Sequence, residues 1–292
     1  MKIGLVVFGI YPSGLKQLIY HVISEPSFNH EFIGIEIDRY QGKVIEKPIH
    51  TDVVNGSQKL LVKGSPISCH SSLCDVINGF DAVIVVGTAE TKVFMDDLIK
   101  EEQKTRLLYV PVSIINDIPG SDSTLGYDTA LNSIVENALK IQDTIHSVKY
   151  AKPRLFGVQV PGNAPDHMLE ELAVAAEGYF VSGNFTDEQI NSLCDSINSN
   201  FSPDKTSSVL FYNHAISSKD LNERVLPKLN VDWKATTIDE ALCMGSHPTA
   251  NDRILASKLS DQIILWLKNG KLTGQLTVKN AEVGFQKFLT NI

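Results

Sequence analysis

The chain has 292 residues, a formal charge of −8, 43% hydrophobic and 21% charged residues, and a mean hydropathy of −0.02. That length supports two lobes with substantial cores or one large α/β unit, and the acidic balance argues against diffuse attraction to nucleic acid or an anionic membrane. No apolar run approaches the roughly 18–20 residues that span a bilayer, and the apolar stretch after Lys2 is short, interrupted by glycine and continued by a helical pattern, so it reads as a core strand and a cytoplasmic location is expected.

In chain order, residues 3–9 (IGLVVFG) form a continuous apolar run, the pattern of a strand buried on both faces. A loop with Pro12, Ser13 and Gly14 follows, then a helix from Leu15 to Ser24. Glu31–Ile37 reads as a second strand and Asp81–Gly87 (DAVIVVG) as a central one, with a helix through Met95–Gln103. Leu107–Val110, preceded by Arg106, ends another buried strand. From Asp128 to His146, apolar residues at Ala130, Leu131, Ile134, Ala138, Leu139 and Ile141 have helical spacing. The order then starts again: a strand at Arg154–Val160, a glycine loop and helix in PGNAPDHMLEELAVAAEG, and a strand at Ser207–Tyr212. Pro248–Leu267 reads as a long helix and Leu272–Val278 as a final strand. This alternation predicts an α/β protein with largely parallel, doubly wound sheets.

Of the four cysteines, Cys69 and Cys74 flank His70, but no second pair completes a metal site, so they read as thiols and no metal is expected. His21, His146, His167, His214 and His247 are scattered without metal-ligand spacing.

The chemistry concentrates in Val110–Leu131, VPVSIINDIPGSDSTLGYDTAL, a polar, Gly/Pro-rich loop between a strand and a helix. It resembles the 6-phosphofructokinase loop P-K-T-I-D-N-D-I-x-G-T-D-x-T-x-G-F-D-T-A. Pro111, Ile114, Asn116, Asp117, Ile118, Gly120, Asp122, Thr124, Gly126, Asp128, Thr129 and Ala130 fall on matching positions. Ser246–Leu267, SHPTANDRILASKLSDQIILWL, is similar to the same family's helix G-S-P-x-x-x-D-R-I-L-A-S. The resemblance implies two Rossmann-like lobes and phosphorylation of fructose 6-phosphate with ATP and magnesium. It also implies a division into a nucleotide-side lobe (1–126 with 247–278), a sugar-phosphate-side lobe (127–246) and a C-terminal helix (279–292).

Several positions depart from that pattern. Where the family carries its catalytic aspartate this chain has Ile115, which has no atom able to accept a proton. Asp117, two residues on, is the substitute candidate; a displacement of about 1 Å can already cost on the order of 10²-fold in rate. The first phosphate loop keeps Gly9 and Gly14 but has Ile10 and Tyr11 where the family has a glycine and an aspartate. The second keeps Gly87, while Thr88 replaces the aspartate expected to ligand magnesium and Glu90 brings a negative charge. Gly9, Gly14 and Gly87 are therefore the candidate cofactor-binding residues.

On the substrate side, Arg154 falls on an arginine that reaches the substrate phosphate across a subunit interface in the family, and Arg253 on another. With Asn116 these are the candidate substrate-binding residues, since guanidinium groups grip phosphate bidentately. One family arginine is Met244 here, another is Asn163, and the family glutamate after the 207–212 strand is Asn213 or His214. Arginines of the bacterial effector site become Tyr20, Ser24 and Gln142. The expectation is a family member without phosphoryl transfer, acting as a regulatory subunit in a homo-oligomer or beside an active subunit, and requiring no cofactor. An active sugar-phosphate kinase with an atypical site, and a sugar-phosphate or nucleotide sensor, are the competing readings.

Overall fold

The computed structural model describes residues 1–9, 11–37, 44–50, 70–100, 105–146, 151–270 and 272–288. Ile10 and Cys69, both singled out above, lie outside them. The elements run β1 (Lys2–Val7), α1 (Leu15–Ile23), β2 (Glu31–Ile37), β3 (Val44–Pro48), α2 (His70–Ile77), β4 (Ala82–Gly87), α3 (Ala89–Lys100) and β5 (Arg106–Pro111). They continue with α4 (Tyr127–His146), β6 (Arg154–Gln159), α5 (Asp166–Ala175), β7 (Tyr179–Phe180), α6 (Asp187–Asn200), β8 (Ser207–Tyr212), β9 (Asp232–Thr237), α7 (Ala250–Asn269), β10 (Gly274–Lys279) and β11 (Glu282–Lys287). Met1–Asp128 with His247–Ile292 form one compact unit, and Thr129–Ser246 form a second.

The first unit is built on a seven-stranded sheet, order β11-β10-β5-β4-β1-β2-β3. Its inner pairs are parallel, and the outer pairs β2–β3 and β10–β11 are antiparallel. The continuous apolar runs explain the layering, because alternate residues of one strand feed opposite faces. Ile3, Leu5, Val7, Ile84 and Val86 pack with Leu18, Val22, Leu259 and Trp266 of α1 and α7. Val6, Val83, Val85 and Leu107 pack instead with Leu73, Ile77, Phe94 and Leu98 of α2 and α3.

The second unit carries a parallel four-stranded sheet, order β7-β8-β6-β9. Leu155, Leu210 and Tyr212 meet Ile190, Cys194 and Ile197 of α6, and the alternating residues Val158, Val209 and Phe211 are buried as well, so both faces are covered. At Gly157 a Cβ would lie 2.3 Å from Cη2 of Trp233 on the neighbouring strand, which leaves room for glycine alone.

The structure corrects the sequence reading in three places. The segment expected as a C-terminal helix (279–292) instead contains β11, and β10 is therefore not the final strand. Asn280 and Ala281 adopt φ values of 51° and 61° between the paired residues Lys279 and Glu282. Two positive φ angles in a two-residue loop make the turn that matches strand twist, and Val283 and Phe285, two residues apart, turn to the core. The helix expected at Met95–Gln103 begins earlier, at Ala89, because the amides of Thr91 and Lys92 close on the Thr88 carbonyl at 3.0 and 3.3 Å. The long C-terminal-half helix starts at Ala250, where Thr249 caps it by accepting the Asp252 amide.

Candidate functional site

In the first unit, three loops leave the carboxyl ends of β1, β4 and β5, the edge where open α/β sheets bind ligands. The loop after β1 turns on Gly9 and Gly14, with φ of 79° and 91°. A Cβ on Gly14 would lie 2.9 Å from Leu125 Cδ1 and 3.3 Å from the Asp252 carbonyl oxygen. Close packing alone therefore accounts for this glycine. Tyr11 packs against the core formed by α1 and α7, and its burial pushes the phenol up to about 12.

Gly87 ends β4 with the same logic. A Cβ there would fall 2.2 Å from Thr91 Oγ1. Its carbonyl accepts the Val112 amide at 2.9 Å and the Tyr109 hydroxyl at 3.1 Å. Tyr109 also donates to the Thr88 carbonyl at 2.8 Å. Burial first, and then the carboxylates of Asp117 and Asp96, push the Tyr109 phenol far above its ordinary range, so it stays a donor. Thr91 Oγ1 is buried with no hydrogen-bond partner, and Glu90 stands exposed in the first turn of α3. A carboxylate at a helix N-terminus complements the helix dipole and repels a phosphate.

The loop after β5 is internally braced. The Ser113 hydroxyl donates to Asp117 Oδ1 at 2.6 Å, and the Ile115 amide donates to Ser113 Oγ at 3.2 Å. The Thr124 hydroxyl shares its one proton between the Ser113 carbonyl at 2.8 Å and Asn116 Oδ1 at 3.2 Å. Asn116 takes φ 56°, a left-handed conformation that asparagine tolerates, and its Nδ2 donates to the Asp122 carbonyl at 3.0 Å. Ile115 is half-buried, whereas the Asp117 side chain reaches solvent. Behind the loop, the buried carboxylate of Asp252 accepts the Gly126 amide at 2.7 Å. Arg253 is exposed, with Nε donating to the Pro248 carbonyl at 3.1 Å.

In the second unit, Arg154 opens β6, at the amino end of the sheet, in register with Asp232 of β9. Its Nε donates to Asp232 Oδ2 at 3.0 Å, and Nη2 completes the ion pair. At the opposite, carboxyl end, Asn213 is 5% exposed; Nδ2 donates to the Ala164 carbonyl at 2.7 Å and Oδ1 accepts the Ala215 amide at 3.0 Å. Asn213 thereby holds the 162–164 turn against the end of β8, while Asn163 and His214 face solvent.

Among the described residues no group of three or more His, Cys, Asp or Glu side chains is placed to hold a metal ion, and no helix is long and apolar enough to cross a membrane. A magnesium–nucleotide complex fits the first unit's loops poorly on two observations: the Gly87 and Thr88 carbonyls are held by Tyr109, and the carboxylate in the α3 turn is Glu90. Tyr109 and Asp252, which brace these loops, and the buried Thr91 hydroxyl stand out first in the structure. For Asp252 a signal existed, since Thr249 stands three residues ahead of it, the spacing of a helix N-terminal box.

The Phosphofructokinase family model matches residues 76–267. An ATP-dependent 6-phosphofructokinase of Staphylococcus carnosus is 30% identical over 213 residues, 72% of this chain and 64% of that protein. One from Staphylococcus epidermidis is 27% identical over 208 residues, 70% of this chain and 62% of that protein. The matches thus take in less than two thirds of these relatives' own length. In fold, phosphofructokinase from Saccharomyces cerevisiae superposes with a TM-score of 0.79 at 16% identity, covering 98% of this chain and 44% of that one. Pyrophosphate-dependent phosphofructokinase from Nitrosospira multiformis does so with 0.77 at 11% identity, covering 98% and 82%. The motif in the β5–α4 loop, the α7 helix and the matched span agree, and the chain belongs to the phosphofructokinase family.

Proposed function

We propose that this chain is a non-catalytic, regulatory subunit of a phosphofructokinase-type assembly, formed with copies of itself or with an active subunit. The observation that carries this reading is where the inherited polar side chains are engaged. Asn116 bonds to the Asp122 carbonyl and Asp122 to the Asn280 amide, and Arg154 is paired with Asp232. At the base position stands Ile115, and the half-buried Tyr11 is packed against the core. Phosphoryl transfer needs positioned charge more than anything else, and these groups supply it to the fold. A coupled assay with fructose 6-phosphate and ATP, GTP or pyrophosphate, together with a pull-down from the native cell, tests the proposal. No turnover and co-purification of further phosphofructokinase-family chains are expected; recovery of neither a partner chain nor a self-assembled oligomer overturns it.

A second reading has its own support: an active 6-phosphofructokinase with an atypical site. Asp117 presents a solvent-facing carboxylate two residues from Ile115, and the Staphylococcus relatives carry the name ATP-dependent 6-phosphofructokinase. Turnover that disappears in Asp117→Asn selects this reading over the first. A sugar-phosphate or nucleotide sensor, with the exposed Arg253 as its anion contact, predicts binding heat without turnover in the same set of ligands.

A further inference from the structure

The hairpin turn between β10 and β11 is held in a conformation that Ala281 does not favour. Asn280 and Ala281 both have positive φ, 51° and 61°, and alanine in that region costs about 1 kcal/mol relative to glycine. Two side chains grip the turn from different elements. Asp122 Oδ2, from the β5–α4 loop, accepts the Asn280 amide at 2.8 Å. Lys258 Nζ, from α7, donates to the Ala281 carbonyl at 2.6 Å and pairs with Glu282 at 2.9 Å.

The hold extends to the strand beside the turn. The Asp122 amide donates to the Val278 carbonyl at 2.8 Å, and Ser121 Oγ accepts the Val278 amide at 3.2 Å. From Asp122 a continuous relay runs into the loop: its carbonyl accepts Asn116 Nδ2, Asn116 Oδ1 accepts Thr124 Oγ1, Thr124 reaches the Ser113 carbonyl, and Ser113 Oγ ends on the Asp117 carboxylate. Strained backbone persists where its surroundings over-determine it, and here the surroundings are the loop on one side and α7 on the other.

We propose that the Asn280–Ala281 turn is a latch: gripped by Asp122 and Lys258, it sets the conformation of the 113–125 loop and so the orientation of Asp117. Asp122 and Lys258 are positioning residues in this scheme. Lys258 acts on the loop only through the turn. The latch stands whether or not the loop retains chemistry.

The test is backbone amide exchange of the full-length protein, read by mass spectrometry on peptides covering 113–125 and, as an internal control, β4. Asp122→Ala is expected to speed exchange in 113–125 by about tenfold, the effect of losing roughly one hydrogen bond on a local opening. Asp122→Asn, which keeps a side-chain oxygen acceptor, restores most of the protection. Lys258→Met keeps the aliphatic stem and removes bonds to Ala281 and Glu282 alone, yet it is expected to raise exchange in the same peptides by a smaller factor while β4 is unchanged. If Asp122→Ala does not fold, the other two variants carry the test. Lys258→Met leaving the 113–125 peptides at wild-type rates overturns the proposal, as does acceleration spread evenly over β4 and the loop.

Discussion

The Asp252 carboxylate accepts the backbone N–H of Gly126 at 2.7 Å, across 126 residues of sequence. Gly126 has φ 98°, and a Cβ there would stand 2.6 Å from that of Pro12. One buried acid thus fastens the first turn of α7 to the end of the β5–α4 loop, beside the turn that follows β1.

Asp252→Ala strands the Gly126 donor in a buried position. The expected loss is about 1–3 kcal/mol of folding stability, read as a lower urea midpoint. Asp252→Asn is expected to recover part of it, because the amide oxygen can accept the same bond. Equal losses in the two variants would show that the charge, and not the hydrogen bond, matters.

Ala281→Gly removes the steric objection to φ 61° at an exposed turn position. A stabilisation of roughly 0.5–1 kcal/mol is expected, less the added freedom glycine gives the unfolded chain. Thermal melting checks this directly. A lower Tm would mean that the turn gains more from the stiffness of alanine than it loses to strain.

Restoring an aspartate at the base position is expected to be insufficient under the proposed function. Ile115→Asp should show no turnover of fructose 6-phosphate with ATP, since Tyr11 and Glu90 remain in the phosphate loops. Measurable activity from this single change would place the whole defect at one side chain.

Alkaline pH should weaken the fold through Cys243. The thiol is 1% exposed and is pushed up from 9.0 to about 12, by burial first and then by the carboxylates of Glu240 and Asp239. Above pH 9 the unfolded chain releases this proton while the folded chain keeps it, so rising pH favours unfolding. The contribution is complete below pH 9 and is lost as pH climbs through the folded value. Tyr11 acts with the same sign from 10.0 to about 12. Comparing urea stability of wild type and Cys243→Ala between pH 9 and 11 should show a steeper fall in the wild type, by about 1.4 kcal/mol per pH unit at most. Parallel curves would remove Cys243 as the cause.

The sequence by itself determined what depends on local pattern. Runs such as AVIVVG in β4 are buried at every position, which continuous apolarity announces, and the β5–α4 loop and α7 segments identify the family. A local signal was also present in α6, where Thr186 and Gln189 form a capping box ahead of Ile190, Leu193, Cys194 and Ile197 at helical spacing. At the β10–β11 turn the signal was weak, since Asn280 is followed by alanine where glycine is usual.

What the tertiary structure decided is the employment of the polar residues. Arg154 meets Asp232, 78 residues on, and Asp122 meets Asn280, 158 residues on. Asn213 reads as a lost glutamate until Ala164 and Ala215 are brought to it. Periodicity encodes which face of an element is buried, because burial follows from the residue's own chemistry. A hydrogen bond requires a second group at about 3 Å and at the right angle, and only the fold supplies that neighbour.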